Sequence, residues 1–130
     1  MKLEHVAVWV EDLESMKNFY CKRFGFIAGD KYHNAKKQFT SYFLTSVSNE
    51  GSRLELMTRP NMPESDIGQN QVVGLSHLGF SVGSREKVIE LSDQLLLENC
   101  QLLSGPRTTG DGYFESLMLD PEGNRIEITL

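Results

Sequence analysis

The chain has little cysteine and proline. It contains 2 cysteines and 4 prolines in 130 residues, and the two cysteines, Cys21 and Cys100, lie in helix-like segments without metal-ligand spacing. This placement argues against a disulfide, a nucleophilic thiol and a cysteine-based metal site. We predict that both thiols are small buried or half-buried side chains.

Long apolar runs and an excess of positive charge are also missing. The N-terminal sequence MKLEHVAVWVED has too short an apolar run for a signal peptide, and no segment is long enough to span a bilayer. The 13 Lys and Arg residues against 18 Asp and Glu residues give a net charge of -5, with no basic cluster to bind nucleic acid. We therefore expect a cytoplasmic protein without membrane or nucleic-acid partners.

An internal repeat is present. The segment KLEHVAVWV near the N-terminus resembles the later GLSHLGFSV, and RLELM resembles the C-terminal RIEIT. The offset of 72 residues is the same for both, and it pairs His5 with His77 and Glu55 with Glu127. In each half, 50 residues separate the histidine from the glutamate. The repeat therefore predicts two modules of the same construction.

Each half predicts the element order β-α-β-β-β. Runs of β-branched and aromatic residues around the histidines suit strands, and helical spacing follows them, with Asp12 and Ser84 as N-caps and Gly25 as the first helix end. The later strands are FIAGDKYH, KQFTSYFLT and SRLELMT in the first half, and QLLS, YFESLML and NRIEITL in the second, where DPEGN predicts a turn. The prediction is one α+β domain over 1–130, made of module 1 (1–58), a polar linker (59–73) and module 2 (74–130).

The strand faces indicate a metal site. Because side chains alternate, His5 shares a face with Trp9, and Glu55 and Glu127 likewise point away from the apolar face of their strands. Two carboxylates buried together repel unless a cation lies between them. Two imidazoles and two carboxylates suit Ni, Co, Zn, Mn or Fe. His33 has no counterpart in the second half, and we predict that it is exposed. The predicted ligands are His5, Glu55, His77 and Glu127.

These motifs, from LEHVAV to DPEGNRIEI, resemble the vicinal oxygen chelate superfamily of glyoxalases, bleomycin-resistance proteins, epimerases and extradiol dioxygenases. The resemblance covers essentially the whole chain and implies two βαβββ modules that form an open barrel around one divalent metal ion, Ni, Zn or Co. The ligand order His, Glu, His, Glu is similar to glyoxalase I, lactoylglutathione lyase. It implies a homodimeric lyase or isomerase that abstracts a proton next to a carbonyl of a small molecule such as a thiol-dicarbonyl adduct. Glu127 would be the base and Glu55 its counterpart.

Two positions depart from glyoxalase I. In its short bacterial members, an arginine four residues after the first histidine and an asparagine four residues after the first glutamate hold glutathione. Trp9 and Arg59 occupy those positions here. The departure argues against glutathione and for a less charged substrate in a pocket that Trp9 lines, with Arg59 as a further contact. The glycine-rich segment GPRTTGDG (105–112) is predicted to be a loop that closes over the substrate, with Arg107 contacting an anionic group.

Three alternative functions share this resemblance. A metal-dependent epimerase uses the same proton abstraction and differs only in where the proton returns. An iron or manganese dioxygenase is disfavoured by the fourth ligand. A binding protein of the bleomycin-resistance kind performs no chemistry, and such binders generally lack the metal ligands. The sequence also leaves open whether a site is built within one chain or across two, and similarity to short glyoxalases favours two.

Overall fold

A computed structural model describes residues 1–48, 51–63 and 73–130. The chain forms two compact units, Met1–Pro63 and Glu64–Leu130, and each has one mixed sheet and one helix. This confirms the predicted α+β class and the two tandem modules. Most of the predicted linker, 59–73, lies outside the described residues. Among the described residues, no helix has the length and apolar character needed to cross a membrane.

The first unit carries five strands and one helix. The elements are β1 (His5–Trp9), α1 (Leu13–Phe24), β2 (Ile27–Ala28), β3 (Tyr32–Asn34), β4 (Phe39–Thr45) and β5 (Arg53–Thr58). The sheet has the order β1-β5-β4-β2, with β3 also paired to β4, and β1 runs parallel to β5. Because the first and last strands are neighbours, residues far apart in sequence meet on one face.

Helix α1 has the predicted ends. The Asp12 carboxylate accepts a hydrogen bond from the Ser15 backbone N–H at 3.0 Å, and Gly25 ends the helix in the left-handed conformation with φ 67°. The helix packs against β4 and β5. Apolar side chains of the helix and of one strand face form the core of this unit, which leaves the other face of the sheet for polar groups. The buried apolar residues are Val10, Leu13, Met16, Tyr20, Leu44, Leu54 and Leu56.

The second unit repeats this plan with four strands. The elements are β6 (Leu78–Ser81), α2 (Arg85–Leu97), β7 (Leu102–Thr108), β8 (Phe114–Leu119) and β9 (Arg125–Thr129). The sheet has the order β6-β9-β8-β7, and β6 runs parallel to β9. The Ser84 side chain caps the helix as predicted, accepting from the Lys87 backbone N–H at 3.2 Å.

The DPEGN turn forms between β8 and β9. The buried Asp120 carboxylate accepts hydrogen bonds from the backbone N–H groups of Glu122 at 3.0 Å and Asn124 at 2.9 Å, and from the Asn124 side-chain amide at 2.9 Å. Gly123 supplies the positive φ of 83° that the turn requires. The turn fixes the register of β9, which carries Glu127.

The structure corrects the prediction that FIAGDKYH forms one strand. Two short strands, β2 and β3, take its place, and both pair with β4. Gly29 lies between them and still donates its backbone N–H to the Phe43 carbonyl at 2.9 Å. The pair therefore acts as one interrupted strand, and the β-α-β-β-β order of the module holds.

The predicted loop over 105–112 is wrong in its first half. Strand β7 continues through Gly105 to Thr108, although its register against β8 shifts twice. Proline is tolerated because β7 is an edge strand of its sheet, where Pro106 needs no N–H for a second neighbour. A second correction concerns Cys100, which was predicted to lie in a helical segment but follows the end of α2. As predicted, Cys100 is buried and Cys21 is half-buried.

Candidate functional site

The first donor pair lies on β1 and β5. In the parallel register, Ala7 is opposite Glu55 and His5 is opposite Arg53, so the His5 and Glu55 side chains lie diagonally on one face. His5 Nε2 is 3.7 Å from Glu55 Oε2. The opposite face of β5 is apolar and buried through Leu54 and Leu56. The burial of that face fixes which way Glu55 points.

The second donor pair lies in the equivalent place of the second unit. Gly79 of β6 is opposite Glu127 of β9, and His77 immediately precedes β6. His77 Nε2 is 3.4 Å from Glu127 Oε2. The histidine side chains are 39% and 37% exposed in the two pairs, whereas Glu55 and Glu127 are 12% and 21% exposed. Both units thus offer an accessible imidazole beside a more buried carboxylate.

The chemistry of each pair fits half of a metal site. Nitrogen from imidazole and oxygen from carboxylate are ligands that Zn and other divalent transition metals accept. Within neither unit do the described residues bring three His, Cys, Asp or Glu side chains together as a metal-binding group. Each unit therefore supplies two candidate donors: His5 and Glu55 from the first, and His77 and Glu127 from the second.

The surroundings of the two histidines differ. His5 Nδ1 is 2.5 Å from Glu4 Oε2, and Glu4 also forms an ion pair with Arg53. The hydrogen bond from His5 is the main cause that lowers the pKa of Glu4, and Arg53 adds to it. Phe43 contacts His5 edge-on with 5.3 Å between ring centroids, and the Arg53 guanidinium lies 4.0 Å above the same ring. In the second unit, the Nδ1 of His77 is 3.2 Å from the Ser76 hydroxyl.

Trp9 and Arg59 lie together in the first unit. Trp9 ends β1 on the His5 face and is 42% exposed, and the Arg59 guanidinium lies 5.0 Å from the centre of its ring. Arg59 Nε also donates to Met62 Sδ at 3.4 Å. The contact is a cation-π pair, which holds a positive charge beside a flat apolar surface.

Arg107 lies in β7, where it contacts Ser104 and Glu115. Its Nε donates to the Ser104 hydroxyl at 2.8 Å, and its Nη2 is 3.8 Å from Glu115 Oε1. His33, as predicted, is exposed on β3, with its Nδ1 3.0 Å from the Thr40 hydroxyl.

Sequence reasoning missed Glu115, a half-buried carboxylate close to Glu127. Burial is the main cause that raises the pKa of Glu115, and the neighbouring charge of Glu127 adds to it. Strand register places Glu115 opposite Thr129, where the first unit has Ser41 opposite Met57. Because the first module has a serine at this position, the repeat carries no signal for Glu115.

Comparisons with known proteins agree on one family. The model of the glyoxalase/bleomycin resistance protein/dioxygenase superfamily matches residues 2–128. The uncharacterized protein YwkD of Bacillus subtilis strain 168 is 28% identical over 127 residues, which is 97% of this chain and 94% of that protein. A solved glyoxalase family protein from Enterococcus faecalis is 24% identical, with a TM-score of 0.77 and coverage of 99% of this chain and 97% of its own. The trypanothione-dependent glyoxalase I of Leishmania major is 21% identical, with a TM-score of 0.77 and coverage of 99% and 86%. At these identities the structural likeness shows the shared fold.

Proposed function

Because the chain belongs to the glyoxalase/bleomycin resistance protein/dioxygenase superfamily, we propose that it is a metal-dependent lyase or isomerase that moves a proton next to a carbonyl of a small molecule. One observation carries the proposal: both units place an imidazole nitrogen beside a carboxylate oxygen, at 3.7 Å and 3.4 Å, with the histidine on or just before the first strand and the glutamate on the last. A purely structural role for the histidines would not explain why the same pair occurs in both units. The proposed ligands of one divalent ion, with Ni, Zn or Co preferred, are His5, Glu55, His77 and Glu127.

The chain's own side chains then have distinct roles. A divalent ion, when bound, supplies the positive charge that stabilises a developing oxyanion on the substrate. Glu127 is the proposed base by resemblance to glyoxalase I, and it is a half-buried carboxylate that the interior strand β9 holds in place. Glu55 is its counterpart on the other half-site. The two histidines would complete the set of ligands, without a role in proton transfer.

The substrate side of the proposal involves Trp9, Arg59 and Arg107. The stacked pair of Trp9 and Arg59 suits a substrate with an anionic group next to a flat or apolar portion. This differs from the arginine and asparagine expected for glutathione, and we propose that lactoylglutathione formation is poor. Arg107 lies in the second unit, with Glu115 at 3.8 Å, and is the second proposed contact for an anionic group.

Metal analysis tests the proposal at its foundation. Elemental analysis and zinc, cobalt and nickel titrations of the purified protein should give one ion per chain, and His77→Ala should lose most of it. His33→Ala is the matched control, because His33 is an exposed strand histidine outside the donor pairs. Equal metal content in the wild type and His77→Ala, or none in either, contradicts the proposal.

A turnover screen tests the chemistry. Dicarbonyl and thiol pairs, each with Ni, Co, Zn and Mn supplied, are incubated in deuterated solvent, and incorporation of deuterium at carbon is followed by mass spectrometry. The proposal expects incorporation with at least one substrate. If metal binds and no substrate exchanges a carbon-bound proton, the chain is a binding protein instead.

A further inference from the structure

We propose that Glu4 is a positioning residue, which holds the His5 ring with Nδ1 protonated and Nε2 directed toward Glu55. The first unit is then the preorganised half of the metal site. This inference rests on the metal site proposed above. It adds a residue outside the four ligands. It also makes the two half-sites differ in how the tautomer of the histidine is fixed, although the repeat makes them similar in other respects.

The hydrogen-bond partner decides the tautomer of His5. A carboxylate accepts hydrogen bonds and has no proton to donate, so the 2.5 Å contact between Glu4 Oε2 and His5 Nδ1 requires a proton on Nδ1. In the neutral imidazole, Nε2 then carries the lone pair, and it is the atom 3.7 Å from Glu55 Oε2. This is the nitrogen that a metal ion shared with Glu55 needs.

The equivalent residue of the second unit does not decide the tautomer. Ser76 stands 72 residues after Glu4, in the same place before its histidine. A hydroxyl can donate or accept, so the 3.2 Å contact between Ser76 Oγ and His77 Nδ1 is compatible with a proton on either ring nitrogen. The tautomer of His77 is therefore selected only when a metal binds. His5 already has the proton on Nδ1 before a metal binds.

Glu4 is itself held in place. Its carbonyl accepts the Arg53 backbone N–H at 2.9 Å, which continues the pairing of β1 and β5 by one residue. Its carboxylate is paired with the Arg53 guanidinium, which in turn lies 4.0 Å above the Phe43 ring. The same ring contacts His5. This network fixes the ring orientation of His5. Hydrogen-bond partners of metal-binding histidines commonly raise metal affinity by about 10- to 100-fold.

Zinc affinity tests the inference with a matched pair of variants. Competition with a chromophoric chelator should show that Glu4→Ala weakens zinc binding about 10- to 100-fold. Glu4→Gln should lose less, because its amide oxygen still accepts from Nδ1. Ser76→Ala should change affinity less than about threefold, since its hydroxyl fixes no tautomer. Thermal melting of the metal-free variants shows whether any of them fails to fold.

Nitrogen NMR of the imidazole rings gives a second, metal-independent measurement. In the metal-free protein at a pH where imidazole is neutral, His5 should show the pattern of a protonated Nδ1, and in Glu4→Ala it should become a mixture. Equal zinc affinity in Glu4→Ala and the wild type, or a mixed tautomer for His5 in the wild type, overturns the inference. If the wild type binds no zinc while His5 keeps its tautomer, the proposed metal site fails and the positioning by Glu4 stands.

Discussion

At the scale of single residues, a substitution of Glu127 can test its proposed role as base without disturbing the fold. Glu127→Gln keeps an oxygen that can coordinate a metal but removes the proton acceptor. We expect normal melting, metal content near that of the wild type, and turnover lower by about 10²- to 10⁴-fold. The check is a comparison of kcat and zinc content in parallel. Full activity would show that another group is the base, and Glu115 would be the next to test because of its position beside Glu127.

Glu14 shows how a surface residue shapes the dependence of stability on pH. Its carboxylate accepts hydrogen bonds from Lys17 at 2.5 Å, Lys31 at 2.8 Å and the Tyr42 hydroxyl at 3.0 Å. These contacts, led by that from Lys17, lower the pKa of Glu14 from 4.5 to about 2. Since the folded protein has the lower pKa, the stabilisation is present above pH 4.5 and is lost as the pH falls toward 2.

Glu14→Gln should therefore unfold at lower urea concentration than the wild type at pH 7, and the two should converge as the pH falls toward 2. The effect should be small and weaken with salt, because the cluster is exposed. Glu86→Gln is the comparison variant: Glu86 also lies in the first turn of its helix, and hydrogen bonds from its own backbone N–H and from Ser84, instead of lysines, lower its pKa. Its gap from the wild type should therefore respond less to salt than that of Glu14→Gln. A gap that is independent of pH would refute the assignment to Glu14.

At the scale of elements, strand β7 requires a glycine at position 105, because a Cβ there would clash with β8. Its φ is +95°, and a Cβ there would lie 2.5 Å from the Glu115 carbonyl oxygen and 2.9 Å from Ser116 Cα. Gly105→Ala should cost about 2–4 kcal/mol of unfolding free energy, from backbone strain plus the clash. Gly112 is the control, since its φ is +94° with nothing within 4 Å of the added Cβ.

Gly112→Ala should cost only the backbone strain, about 1 kcal/mol. Denaturant unfolding of both variants measures the difference. Similar losses in the two would mean that β8 moves away from β7 at little cost.

The elements that the sequence predicts well are those decided by local patterns. Asp12 and Gly25 mark the ends of α1 through capping chemistry, and the alternation around Glu55 and Glu127 shows which strand face is apolar. The same local signals mislead at Gly105, where a glycine and a proline suggest a loop but pairing with β8 keeps the segment extended.

The sequence does not specify which side chains contact each other around the donor pairs. The spacing that both modules share predicts that His5 lies near Glu55. It gives no information about the contact between Glu4 and His5. Neighbouring residues in a strand normally point to opposite faces. The backbone of Glu4 continues the pairing with β5, but the ion pair with Arg53 holds its carboxylate beside the histidine. Glu115 was missed because its partner is set by register alone.

At the scale of the whole molecule, the prediction concerns assembly. We propose a symmetric homodimer in which His5 and Glu55 of one chain meet His77 and Glu127 of the other. Inactive His5→Ala and inactive His77→Ala chains, unfolded together and refolded as a mixture, should then recover about a quarter of wild-type activity, because one site in each mixed dimer has all four ligands. Turnover of the mixture and of each variant alone is the measurement.

A mixture of His5→Ala with Glu55→Ala is the control for this experiment. Both defects lie in the first unit, so every site of a mixed dimer remains incomplete and no activity should return. Absence of recovery in the first mixture, when size-exclusion chromatography shows mixed dimers, would place each site within one chain.

The positions of the donors within each sheet also bear on how a metal ion would leave. The histidines lie on or beside β1 and β6, which are edge strands within their own units, whereas Glu55 and Glu127 lie on β5 and β9, which have neighbours on both sides. Edge strands fray more often than central ones because they have fewer backbone hydrogen bonds to break. If His5 and His77 hold a metal ion, fraying of β1 and β6 would release these ligands without global unfolding, and the dissociation rate of the ion should then follow hydrogen exchange of the β1 and β6 amides.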